Sequence, residues 1–188
     1  LRVQTDRTIQ SVYRLSNYSF ALLYGSENIR TIQTTWIGSY AEASDLLEKI
    51  AYHKGLDYVE QEIARQIRTT RDLWNLTTNS LVEGNKKIDE FLETDIALEL
   101  EEWNNLYDML AALEDKYEQI NSENEEEVLA RLSKPTFMLR QAFISIDSGN
   151  NHLWFFTTSS VEQLGETINS ETGRVIRLAL IIAGTITI

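Results

Sequence analysis

From residue 56 to about Phe91 the core-type positions recur at alternating four- and three-residue steps. Ile63, Ile67, Thr70, Trp74, Thr77, Leu81, Gly84, Ile88 and Phe91 form one line, with polar residues between them. That spacing is the seam of a bundle helix. The same rhythm returns from Thr94 to about Ile120, through Trp103, Leu106, Leu110, Leu113, Tyr117 and Ile120. Thr94 suits an N-cap, with Asp95 behind it favoured by the helix dipole.

Between Thr5 and Tyr52 the steps are less regular but continuous. Ile9, Val12, Ser16, Ser19, Leu23, Ser26, Arg30, Gln33, Ile37, Tyr40, Ser44 and Leu47 predict one long first helix. His53-Lys54-Gly55 ends it, with Gly55 suited to a left-handed C-terminal cap. Ser122 and Glu125 have capping-box spacing, and Glu125, Glu126 and Glu127 would then occupy a helix N-terminus. The fourth segment, to about Thr172, holds Pro135 and a candidate break at Ser148–Asn151. Trp154, Val161, Leu164 and Ile168 resume the seam beyond it.

These segments predict an all-α fold, an antiparallel up-down four-helix bundle with long first and last helices and turns near 54, 93 and 123. Counting residues along such helices brings both chain ends to the same end of the bundle, since each residue advances the helix by about 1.5 Å.

The C-terminal edge differs from everything before it. From Leu178 to Ile188 no residue is charged, a run of 11. A membrane helix needs about 20 apolar residues, so the run reads as the first half of one, and the alternative is a terminal segment buried in the core. The expected division is a sensor bundle over 1–174 and the start of a transmembrane helix over 175–188. The chain opens on Leu1 and not on Met, which suggests that an upstream segment has been removed.

Composition narrows the function. Hydrophobic residues make up 43% and charged residues 24%, with one proline and eight glycines, as expected of a globular helical domain. The net charge of −12 disfavours nucleic-acid binding. There is no cysteine, which excludes disulfides and thiolate metal sites.

The long first helix, the seams at 63–91 and 103–120, and a last helix running through Glu171-Thr-Gly-Arg174 into Leu178-Ala-Leu-Ile-Ile together resemble the helical-bundle ligand-binding domains of methyl-accepting chemotaxis receptors. Some histidine-kinase sensor domains are similar. The resemblance is architectural and covers nearly the whole chain. It implies a homodimer on the inner membrane, with this domain periplasmic or extracellular. It also implies a small ligand held between helices near the membrane-distal half, and a small helix displacement that carries the signal to cytoplasmic modules.

The residues offer little for catalysis. Only His53 and His152 are histidines, and no phosphate-cradling glycine loop or nucleophile elbow is present. No catalytic residue, metal or cofactor is expected, and Glu125–Glu127 read better as a helix start than as a metal site. The candidate ligand site is Arg30 facing Thr77 and Thr78, with Trp74 and Thr70 one and two turns away. A guanidinium on the core side needs a partner, and a small carboxylate could supply it. Glu27 could equally pair with Arg30, or the side chain could snorkel outward. Arg65, Arg68 and Arg71 form a second cluster on a face that reads as solvent-exposed. The competing functions are the sensor of a histidine kinase or cyclase, and a structural or interaction bundle without a small-molecule ligand.

Overall fold

A computed structural model describes residues 1–55, 61–100, 104–121 and 123–186, with side chains to Ile181. Trp103, Ser122 with its capping box, and residues 56–60 at the start of the segment that runs to Phe91 lie outside the described residues. Most of the described residues are helical and none lies in a strand: α1 Arg2–Tyr24, α2 Ile29–Ala51, α3 Gln61–Leu92, α4 Asp95–Glu99, α5 Leu106–Glu118, α6 Glu125–Phe156 and α7 Glu162–Ile186. A π-helical turn, Thr157–Val161, joins α6 to α7, so these two form one helix and six separate helices are described.

The expected long first helix is instead a hairpin. Leu1 meets His53, Arg14 pairs with Glu42, and Trp36 bonds Ser19, so α1 and α2 run antiparallel. The chain turns at Gly25-Ser26-Glu27-Asn28. Asn28 caps α2 by accepting from the Arg30 amide at 3.0 Å. At Gly25 a Cβ would lie 2.5 Å from the Ala21 carbonyl oxygen, so only glycine fits. The turn also shifts the buried phase of α2. Its core side is Ile29, Ile32, Gln33, Trp36, Ser39, Ala43, Leu46, Leu47 and Ile50. Ser26, Arg30 and Ile37, expected on the seam, are exposed.

The α3 seam is a single phase. All nine of its expected positions, Ile63 to Phe91, are buried. The α3 helix runs antiparallel to α2, joined by Gln33–Asp89 and Trp74–Ser44. It also runs antiparallel to α6, and two glycines bring those axes close. A Cβ on Gly84 would come within 2.7 Å of Ile146, and one on Gly149 within 2.6 Å of Leu81. Ser16–Asn150 and Tyr13–Trp154 set α1 antiparallel to α6.

The expected helix from Thr94 to Ile120 is divided. Thr94 does cap α4, accepting from the Ala97 amide at 3.3 Å, but that helix ends at Glu99. Asn105 caps α5 through the Asp108 amide and donates to the Gly25 carbonyl at 2.6 Å, which ties α5 to the α1–α2 turn. Gly55 does not take a left-handed conformation, since no glycine among the described residues has positive φ. Pro135 and Ser148–Asn151 both lie within unbroken helix.

The irregularity falls later, in the π turn, where the Glu162 amide reaches the Thr157 carbonyl five residues back. The apolar pattern explains it. Continuing the α6 core line Leu153, Phe156 by α-helical steps would bury Ser160, Gln163 and Thr167. One extra residue buries Val161, Leu164 and Ile168 instead. The carbonyls disturbed by the wider turn are served by side chains: Thr157 donates to Leu153, Thr158 to Trp154, and Ser159 to Phe155.

One core cluster runs through most of the molecule. A second, formed by Ile50, Ile63, Ile67, Leu164 and Ile168 with Leu1 packed on it, closes the end where the N-terminus lies. The α7 helix leaves from that same end. Its later side chains Val175, Ile176, Leu178, Leu180 and Ile181 are each more than half exposed. No helix among the described residues is long and apolar enough to cross a membrane.

Candidate functional site

Four aromatic rings cross the bundle between α2 and α6. Trp36 stacks on Tyr40 at 5.4 Å, Tyr40 on Trp74 at 5.9 Å, and Trp74 meets Phe156 at 5.4 Å and 53°. Both indole N–H groups are satisfied, Trp36 by Ser19 and Trp74 by Ser44. A buried indole therefore leaves no donor unpaired.

This ladder ends at a cavity of about 250 Å³ between α3 and the α6–π junction, lined by Leu73, Leu76, Thr77, His152, Phe155, Phe156 and Ser160. Leu76 and Phe155 are 68% and 70% exposed. Apolar side chains held in water at the mouth of a cavity mark an interaction site more often than core packing. Thr77 donates its hydroxyl to the Leu73 carbonyl at 2.8 Å. The π turn brings in Ser160. Its three neighbours in the Thr157-Thr158-Ser159-Ser160 run turn back to carbonyls, while Ser160 and His152 have no hydrogen-bond partner among the described residues. No lining residue is Asp, Glu, Lys or Arg.

The residues expected to form an anion site do not converge. Thr70, Trp74 and Thr77 are buried on α3. Arg30 lies in the first turn of α2, about half exposed, with its guanidinium 3.4 Å from Asp89. Asp89 is 12 residues beyond Thr77 on α3, roughly 18 Å of helix rise. Of the four, only Thr77 lines the cavity. Trp74 supports its floor through Phe156. The shifted phase of α2 carries Arg30 outward, and Gln33 takes the core-side position, donating to Asp89 at 2.9 Å. In the second arginine cluster, Arg65 pairs with Glu62 and Arg71 with Asp72.

Leu73, Leu76, His152 and Phe155 were missed because they lie off the seams. The available signal was large apolar residues at positions that seam counting assigns to solvent. A wider cleft lies between α5 and α6, lined by Glu114, Tyr117, Glu118, Ser133, Thr136, Phe137 and Arg140. Within it Arg140 lies 3.2 Å from Glu114.

No protein-family model matches the chain, and neither a curated protein nor a solved structure matches it.

Proposed function

We propose that this chain is the extracytoplasmic sensor domain of a transmembrane chemoreceptor, without catalytic activity of its own. In this reading α1, α2, α3 and α6 form an up-down four-helix bundle, and α4–α5 cover its membrane-distal end. The domain is periplasmic or extracellular and homodimeric, and α7 continues towards the inner membrane. A small molecule bound between helices displaces α7.

One observation carries the reading. The helix that walls the cavity through His152, Phe155, Phe156 and Ser160 is the same helix that leaves the bundle beside the N-terminus. A ligand touching the middle of this continuous helix can move the end that leaves the bundle. The uncharged apolar residues of α7 support a membrane-directed end.

The chain has no cysteine, so two introduced cysteines can be labelled specifically. Spin labels at Gln10→Cys on α1 and Ser170→Cys on α7 would report a change of about 1–2 Å when a ligand found by thermal shift is added. A ligand that raises the melting temperature but leaves the distance distribution unchanged would sink the proposal.

A second reading, an interaction bundle without a small ligand, is favoured by the outward face of α6. Phe137, Ile144 and Phe155 are each at least 60% exposed there.

A further inference from the structure

We infer that the cavity between α3 and the π turn binds a neutral, single-ring aromatic molecule carrying one hydrogen-bonding substituent. The inference rests on the sensor reading and names the ligand class of its site. Size sets the first limit. A cavity of about 250 Å³ exceeds the roughly 150 Å³ that suffices for benzene and falls below the usual drug-sized pocket. Shape and surface set the second. Leu73, Leu76, Phe155 and Phe156 offer apolar walls on two helices, and the Phe156 ring already continues a stack of Trp36, Tyr40 and Trp74. A flat ring extends that series by edge or offset contact.

Charge sets the third limit. An anion entering the cavity would find no Arg or Lys in the lining, and a cation no carboxylate. Losing water without gaining a counter-charge is costly for either. The lining instead offers polar groups without a formal acid or a Lys/Arg cation, the Ser160 hydroxyl and the His152 imidazole, neither with a hydrogen-bond partner among the described residues. The hydroxyl can donate and accept, and the two imidazole nitrogens offer either role according to tautomer. The π turn is what makes Ser160 available. In an uninterrupted α-helix that position would continue the core line of Leu153 and Phe156, and here Val161 takes the core place.

The test is titration calorimetry with 4-methylphenol, toluene and benzoate. The expected result is binding of 4-methylphenol, with benzoate at least tenfold weaker. Ser160→Ala and His152→Ala should each weaken 4-methylphenol several-fold and leave toluene unchanged. Leu73→Trp should fill the cavity and abolish binding of both. Phe155→Ala, at an exposed position, removes a wall if the tryptophan variant fails to fold, and should weaken both ring compounds.

Three results overturn the inference: no binding of either ring compound, benzoate binding as tightly as 4-methylphenol, or binding indifferent to every lining substitution. Sedimentation showing a dimer that Leu76→Lys dissociates, without ring binding, would assign the surface to a second copy. The sensor reading fails separately. If 4-methylphenol binds and the α1–α7 distance stays fixed, the site stands and the sensor falls. If another compound moves α7 through a different site, the ring assignment falls and the sensor stands.

Discussion

The indole N–H of Trp36 on α2 donates to the Ser19 hydroxyl on α1 at 2.9 Å, with both residues buried. The Ser19 hydroxyl in turn donates to the Leu15 carbonyl at 2.9 Å. The Trp36–Ser19 bond joins the two arms of the α1–α2 hairpin in the half nearer the turn. Replacing Ser19 by alanine strands a buried donor, which costs about 1–3 kcal/mol. Urea unfolding of Ser19→Ala should show a lower midpoint with an unchanged slope.

Gly149 and Gly38 should respond oppositely to alanine. A Cβ on Gly149 would lie 2.6 Å from Leu81 Cγ and 3.0 Å from the Leu81 backbone nitrogen. Separating α3 from α6 to fit it costs about 1–3 kcal/mol. A Cβ on Gly38, inside α2, meets nothing within 4 Å. Gly38→Ala should therefore stabilise by about 0.5–1 kcal/mol, the helix preference for alanine over glycine. Thermal unfolding of the two variants would separate these effects.

Tyr13 on α1 donates its phenol to the Glu162 carboxylate at the start of α7. That hydrogen bond, followed by partial burial and the carboxylate's charge, raises the Tyr13 pKa above its ordinary value of 10.0. The protonated phenol is therefore favoured in the folded state. Its stabilisation is full below pH 10 and is lost as pH rises through the elevated folded value. Across that alkaline range the wild-type chain should lose more stability than Tyr13→Phe. Parallel loss in the two would show that the contact contributes nothing.

Arg30→Ala should have little effect on stability, less than about 1 kcal/mol, because its pair with Asp89 is exposed. It should also leave ring binding in the α3–α6 cavity unchanged. Calorimetry showing weakened binding would place Arg30 in the ligand path after all.

The α3 seam was legible because one phase runs unbroken from Ile63 to Phe91, and every expected position is buried. The first helix differs from its sequence pattern because the four-and-three spacing continues by coincidence across a turn. Leu23, Ser26 and Arg30 keep the count while the chain reverses between them. The local chemistry was present in Gly25-Ser26-Glu27-Asn28, four residues with a glycine and a capping asparagine before Ile29. Helix period alone places Arg30 inside, whereas the turn chemistry carries it outward. At the other end, Val161, Leu164 and Ile168 were correctly read as apolar positions, but their phase relative to Phe156 differs by one residue. Period counting cannot represent an inserted residue, so the π turn and the cavity residue it supplies were both out of reach. Thr77 was legible because it shares the α3 seam. Leu76 and Phe155 are not, since both lie off the seams and are exposed.

The π turn is a ruck of one residue held in an otherwise continuous helix. A ruck of this kind can travel, one carbonyl exchange at a time, and every step changes which side chains beyond it face inward. The hydroxyls of Thr157, Thr158 and Ser159 grip the carbonyls along its course. They act as stitches that fix the ruck at one address, and through that address they set the compass bearing of α7.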